Sequence, residues 1–498
     1  MESAVETLLT LERTQPDRIL LTTQGRSYGY RGFARRATAL AGELAAAGLG
    51  RGDRAALLLD AYDDFFVAMF AVWMAGAVVV PLNTTLPAAD LEWLVARSRP
   101  RVVLVGPGGR HDGFAATAAD APRRLEVAAG DLPETPSKAP SALVAVAPDD
   151  LAMIMFTSGT TGRPKGVCQR LRAVGGNASL VADRLELTAA DRIFINTPPY
   201  FTSGICHFLT LMAHGGGTAG RTGFFFGGGL LDEIAAAGCT GFGGAPAHLV
   251  RVVEPLDDAP PAGALRFWVS SGDHLPLDVI DRARRVLPGV RLFNMYGLTE
   301  VSGRLCVLPP DELERRRGSV GRPIGDMTIT VREPGGAVVP DGEVGELYVS
   351  GPLVMQGYLD EPELNAASLT GHGFRTGDFG HRDAAGYVWI AGRHDDIIKR
   401  GGEKVSLVHI QEALRGLGLF SDVAVIAADD ELLGRVPVAF VVPTDPAGFE
   451  RTAVMRALRR TLPATSLPSR IVALDEIPRT GSGKPIRPEL LRLDGRPR

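Results

Sequence analysis

Residues 65–82 place 18 apolar or small residues in a row without a single charge, close to the shortest stretch able to span a bilayer. Gly76 and Pro81 interrupt the run. Its first part, with Phe65, Phe66, Met69, Phe70 and Trp73, has helical spacing, whereas Ala77-Val78-Val79-Val80 is mostly β-branched. A buried helix followed by a buried strand is therefore expected, not a membrane span.

The same alternation continues on both sides. Phe33, Ala37, Leu40 and Leu44 share one helix face, and Gly50-Arg51-Gly52-Asp53 then turns into the strand-like Ala55-Ala56-Leu57-Leu58-Leu59. This order of elements predicts an α/β fold. Val102-Val103-Leu104-Val105 runs into Gly106-Pro107-Gly108-Gly109, but His111 stands where a dinucleotide fingerprint needs its third glycine, so a plain loop is expected. Residues 128–149 read as a surface connection. Around 310–390 short β-like runs separated by Gly, Pro and Asp predict a β subdomain, and a last unit of about 100 residues, mixing helix and strand, starts near Asp395.

Charge and cysteine usage narrow the function classes. With 53 basic against 57 acidic residues the chain has no polybasic character, so nucleic acid is not an expected partner. Cys168, Cys206, Cys239 and Cys306 are scattered, without metal-ligand spacing, which fits a reducing, cytoplasmic compartment. The acidic start Met1-Glu2-Ser3-Ala4-Val5-Glu6 is unlike a secretory leader, so no export is expected.

The strongest chemical signal follows the apolar strand Leu151-Ala152-Met153-Ile154-Met155-Phe156: Thr157-Ser158-Gly159-Thr160-Thr161-Gly162-Arg163-Pro164-Lys165-Gly166. Small residues and hydroxyls let backbone N–H groups surround a phosphate chain, and Lys165 adds a point charge. The spacing is not that of a Walker A loop, because two residues separate Gly162 from Lys165. Further blocks are Asn294-Met295-Tyr296-Gly297-Leu298-Thr299-Glu300 after an apolar strand, Phe374-Arg375-Thr376-Gly377-Asp378, Gly392-Arg393-His394-Asp395, and Pro478-Arg479-Thr480-Gly481-Ser482-Gly483-Lys484. The chain has five lysines against 48 arginines, and four of the five lie in or beside such blocks. That is expected where a compact, rotatable ammonium is needed.

These blocks resemble those of the adenylate-forming superfamily, which includes acyl-CoA synthetases, luciferases and peptide-synthetase adenylation domains. The resemblance spans nearly the whole chain and is strongest to the AMP-dependent acid ligase branch. It implies a large N-terminal AMP-binding domain, residues 1–394, of two α/β subdomains plus a β subdomain, and a small mobile α+β domain, residues 395–498. It implies ATP contacts at Thr157, Ser158, Gly159, Thr160, Thr161, Gly162, Lys165, Ser271, Gly272, Asp273, Asn294, Tyr296, Gly297, Asp378 and Arg393. Within these, Tyr296 would face adenine, Thr299 the adenylate phosphate, Glu300 Mg²⁺, and Asp378 the ribose. Lys484 would be the adenylation lysine and Asp395 the hinge.

The implied reaction joins a carboxylic acid to AMP with release of pyrophosphate and then transfers the acyl group to a thiol. Gly401 and Gly402, in Lys399-Arg400-Gly401-Gly402-Glu403-Lys404, resemble the CoA-ligase pattern. CoA is thus the expected acceptor; a phosphopantetheine carrier protein or another nucleophile is the alternative, and a silent nucleotide-binding regulator is a third reading. A homodimer is a family expectation. Three departures stand out: Phe201 occupies a position where many acyl-CoA synthetases have histidine, Ser271-Gly272-Asp273-His274-Leu275-Pro276 is closer to the aryl-acid ligase type, and His409 replaces a usual glutamate. Tyr200, Phe201, Gly204 and Trp268 suggest an apolar pocket for an aromatic or medium-chain acid, with a place in the core as the equal alternative for Phe201 and Trp268.

Overall fold

The computed structural model describes the chain except for residues 1–2, 24, 108–121, 134–145, 158–162, 222–228, 254–255, 257–262, 334, 394–395, 401–402, 431–433, 480–484 and 495–498; for 399–400 and 403–404 only the backbone is described. The uncharged run forms the helix Tyr62–Met74 and the strand Val78–Pro81. Every residue of that helix is buried, as expected of a helix that is apolar on all sides beyond Asp63 and Asp64 in its first turn. Gly76, at φ +75°, makes the turn between the two, a conformation that glycine adopts without a Cβ penalty. The Trp73 indole donates to the Ala152 carbonyl at 2.9 Å, and Phe66 stacks on Phe208 at 3.9 Å.

Two large sheets carry the N-terminal part. One has seven strands in the order Gly357–Tyr358, Lys165–Arg170, Leu151–Thr157, Val78–Pro81, Arg54–Leu58, Val102–Val105 and Arg123–Glu126. The other has nine, with Arg291–Tyr296, Phe267–Ser271, Gly241–Gly244, Arg192–Ile195 and Gly217–Gly220 running parallel through its middle. Most of the 18-residue run is buried in the large core cluster where helices of both sheets meet, while Val78, Val80 and Leu82 join a second cluster. No helix among the described residues is long and apolar enough to cross a membrane.

The expected β subdomain is a five-stranded antiparallel sheet containing Thr328–Arg332, Gly345–Ser350, Gly373–Arg382 and Val388–Arg393. Beyond it, a two-stranded hairpin, Ile397–Arg400 with Glu403–Ser406, precedes the helix Leu407–Arg415 and a three-stranded sheet with hydrophobic clusters of its own. Glu412 of that helix reaches back: its carboxylate lies 2.8 Å from His274 Nε2 and 3.3 Å from the Leu277 N–H. All four cysteines are free and buried.

Candidate active site

Strands of the two sheets and of the β subdomain end near one another, and the chemically distinctive residues sit at those ends, where α/β sheets bind ligands. Tyr296 closes the strand Arg291–Tyr296. Its hydroxyl donates to Asp378 Oδ2, and Arg393 Nε lies 3.2 Å from Asp378 Oδ1. Asp378 is only 4% exposed, yet both its oxygens are engaged. Burial, and then the neighbouring Asp378 charge, raise the Tyr296 phenol well above its ordinary range, so it stays a donor.

A second group assembles on the short turn Thr299–Val301. Glu300 accepts a hydrogen bond from the Tyr358 hydroxyl at 2.9 Å, and burial raises its carboxyl above the usual range despite that bond. Lys165 Nζ stands 5.8 Å from the centre of the Tyr358 ring, within cation–π reach. The Thr299 hydroxyl meets the Thr202 hydroxyl at 3.2 Å, and the Gln169 amide donates to the Thr299 carbonyl at 2.6 Å. Gly297 admits no side chain, because a Cβ there would lie 1.8 Å from the Gly303 carbonyl oxygen.

Tyr358 and Gln169 were not among the sequence expectations. Tyr358 reaches Glu300 because its two-residue strand pairs with the strand Lys165–Arg170, opposite Val167. Nothing local to Gly357-Tyr358 announces that pairing.

The remaining expected residues divide. Thr157 ends the strand leading into the glycine-rich loop, whereas Ser158, Gly159, Thr160, Thr161 and Gly162 lie outside the described residues, as do Asp395, Gly401, Gly402 and Lys484. Ser271 ends its strand and is buried; Gly272 follows at φ +96°, and exposed Asp273 accepts from the His274 N–H at 2.8 Å. Asn294 is tied elsewhere, since its amide donates to the Ser319 carbonyl at 3.0 Å. Trp268 is fully buried in a core cluster with Phe242, at 4.4 Å between rings, which is the core alternative for that side chain. Tyr200 is likewise buried in the main core, while Phe201 is partly exposed at the start of the helix Thr202–Ala213. A Cβ at Gly204 would sit 2.7 Å from the Pro198 carbonyl oxygen, so its lack of a side chain serves the helix start.

Among the described residues no cluster of three or more His, Cys, Asp or Glu side chains forms a cage for a metal. A single buried carboxylate, Glu300, on the turn that also carries Thr299, suits Mg²⁺ that would keep most of its shell in water and substrate phosphates. The donor set therefore fits the implied ion.

Residues 10–359 match the AMP-binding enzyme family, and residues 409–484 match the AMP-binding enzyme C-terminal domain. A feruloyl-CoA synthase of an Amycolatopsis species is 31% identical over 97% of this chain and 97% of its own. A sulfoacetate–CoA ligase of Cupriavidus necator is also 31% identical, over 96% and 95%. The structure of O-succinylbenzoate coenzyme A synthetase from Bacillus subtilis with ATP and magnesium ion superposes with a TM-score of 0.84 at 25% identity, covering 97% of this chain and 98% of that one. The chain belongs to the AMP-binding enzyme family, that is, to the CoA-ligase branch of the adenylate-forming superfamily.

Proposed function

We propose that the protein activates a carboxylic acid with ATP, forming an acyl-adenylate and pyrophosphate, and then passes the acyl group to CoA. The observation that carries this reading is the convergence of Tyr296, Asp378 and Arg393 with Thr299, Glu300 and Lys165 on neighbouring strand ends. Asp378 presents acceptor oxygens suited to ribose hydroxyls, and Arg393 adds donors beside it. Tyr296 offers a ring face for adenine. Lys165 and the loop Thr157-Ser158-Gly159-Thr160-Thr161-Gly162 would hold the phosphate chain, with Ser271, Gly272, Asp273 and Gly297 lining the nucleotide's other side.

Chemically, a carboxylate cannot lose oxide, so its oxygen attacks the α-phosphate and becomes part of an AMP leaving group. Glu300 would hold Mg²⁺, which when bound would add positive charge to the phosphate site. Thr299, Lys165 and Lys484 steady the charge that builds on the transferred phosphate, so that catalysis is mainly positioning and electrostatics. In the second half-reaction residues 395–498 rotate about Asp395, Lys484 withdraws, and Gly401 and Gly402 let the pantetheine thiol approach.

The two equally similar relatives are named for different acids, so the choice of acid rests on this chain's own residues. Partly exposed Phe201 places an aromatic ring beside Thr202 and favours an acid with an apolar or aromatic body. The test is carboxylate-dependent exchange of pyrophosphate into ATP over aliphatic and aromatic acids, followed by CoA addition. Exchange and then thioester are expected. Tight ATP binding without exchange for any acid would overturn the reading in favour of a nucleotide-binding regulator, and thioester only on a carrier protein would replace CoA as the acceptor.

A further inference from the structure

Buried charge in this protein is matched almost wherever it occurs. Asp191 is paired with Arg266 at 2.7 Å, and Glu346 with Arg375 at 2.8 Å. Arg304 lacks such a partner, and unlike the equally buried Asp64, which burial pushes toward its neutral form, a guanidinium cannot shed its charge. Arg304 is 6% exposed, and among the described residues no carboxylate pairs with it. Its partner is the ring of His207, itself 5% exposed, with Arg304 Nη2 3.3 Å from His207 Nε2. A guanidinium only donates, so Nε2 must accept and the imidazole proton must sit on Nδ1. The contact therefore leaves the arginine's charge uncompensated and turns a second donor, His207 Nδ1–H, outward from the pair. Burial, with the Arg304 charge added, holds His207 neutral by pushing it well below its ordinary value.

The surroundings fix this pair in place. Buried Asn177 clamps the arginine backbone from both sides: its Nδ2 donates to the Arg304 carbonyl at 2.6 Å, and its Oδ1 accepts from the Arg304 N–H at 3.2 Å. Gly303, at φ +125°, presses so close to the helix Thr202–Ala213 that a Cβ would stand 2.3 Å from Cys206 Sγ. Gly243, on the strand Gly241–Gly244, leaves room for the His207 ring, which a Cβ would meet at 2.3 Å. Leaving a charge buried without a counter-charge is costly, and a cradle of glycines and an asparagine that maintains it implies a ligand that completes it.

The position identifies which ligand. Arg304 follows Thr299 by five residues, and the strand it leads into pairs with Arg291–Tyr296. His207 lies on the helix whose first residue, Thr202, touches Thr299. Five residues along that helix separate Thr202 from His207 by about 7.5 Å. We propose that Arg304 and His207 form the receptor for a second anionic group on the acid substrate, so that the preferred substrate is a dicarboxylate or similar doubly acidic compound. Its first carboxylate would lie at Thr299 and its second end about 7.5 Å away, as the helical rise sets it. This rests on the ligase reading above and deepens it: Arg304 is a specificity-determining residue, not a catalytic one.

The test compares pyrophosphate exchange by the full-length protein with dicarboxylates from succinate to suberate and terephthalate, each beside its matched monoacid. Dicarboxylates of matching span should exchange at least about 10-fold better than their monoacid partners, the scale of one hydrogen bond to a charged group. Arg304→Met should lower exchange with the preferred dicarboxylate about 100-fold and raise it with the matched monoacid, and His207→Phe should act in the same direction. The wild-type comparison needs no variant and stands even if R304M does not fold. Equal or better exchange with monoacids by the wild type, or loss of both substrates alike in a folded R304M, overturns the receptor while leaving the ligase intact. No exchange with any acid overturns both.

Discussion

Asp378 and Arg393 are direct cross-strand partners in the antiparallel pair formed by Gly373–Arg382 and Val388–Arg393, and the tyrosine that ends a strand of a different sheet completes the pair from the other side. One buried carboxylate thus ties the β subdomain to the nine-stranded sheet. Asp378→Ala is expected to raise KM for ATP by about 10- to 100-fold, the range for losing charge-assisted hydrogen bonds. Arg393→Ala should cost less, because its side chain is half exposed. ATP-dependence of pyrophosphate exchange checks both, and an unchanged KM in the Asp378 variant would remove the carboxylate from the nucleotide site.

Tyr358 and Glu300 form a coupled pair. Burial raises the glutamate and the Tyr358 hydroxyl opposes that shift, so Tyr358→Phe should raise the Glu300 carboxyl further. The acidic limb of the rate profile is then expected to move to higher pH. Glu300→Gln should cost about 100-fold in exchange rate even at saturating Mg²⁺, the scale of a lost electrostatic contact. A limb that stays in place in Y358F would show that Glu300 does not control it.

Asp64 sits in the first turn of the buried helix Tyr62–Met74, accepting the Ala129 N–H at 2.7 Å. Burial pushes its carboxyl up to about 6. The folded state therefore holds this proton more tightly than the unfolded chain, and the associated stability is present below the unfolded value and lost as pH rises through about 6. Asp64→Asn should raise stability at pH 8 by about 1–2 kcal/mol and change it little at pH 4. Denaturation at the two pH values checks this, and a larger gain at pH 4 would reverse the sign.

Phe208 packs face to face with Phe66 and edge-on to Phe70, all fully buried. Phe208→Ala should cost about 3–5 kcal/mol, as for other buried aromatic truncations, read as a lowered unfolding midpoint. A loss below about 1 kcal/mol would mean that the cavity collapses.

His274 and Glu412 join the helix Leu407–Arg415 to the N-terminal part, and although burial pushes Glu412 up, the His274 hydrogen bond brings it below its ordinary value. His274→Ala should loosen this contact by about 1–3 kcal/mol, seen as faster amide exchange in that helix. Asp395→Pro should impair one half-reaction more than the other; equal loss would count against rotation about that residue.

Where neighbouring residues decide the outcome, the sequence was readable. Gly76 splits helix from strand because only local φ and a β-branched run are involved, whereas Tyr296, Asp378 and Arg393 stand out through the family resemblance of their blocks, the local residues alone being a weak signal for Asp378 and Arg393. What escaped depends on partners far along the chain. Tyr358 gains meaning only through its pairing with Val167, and Arg304 only through His207, 97 residues away. Trp268 and Tyr200 show the converse: an aromatic side chain fills a core or lines a cleft equally well, and both are buried in core clusters here.

The burial of the helix Tyr62–Met74 also bears on how the chain is made. Its neighbouring strand Val78–Pro81 pairs at Val79 with Met153, and Trp73 finds its acceptor at Ala152. Until those residues leave the ribosome, a greasy segment of 18 residues has nothing to cover one side of it. Nascent chains cut short before that point should be clients for chaperones and prone to clumping, and the gap of some 70 residues sets how long that exposure lasts during synthesis.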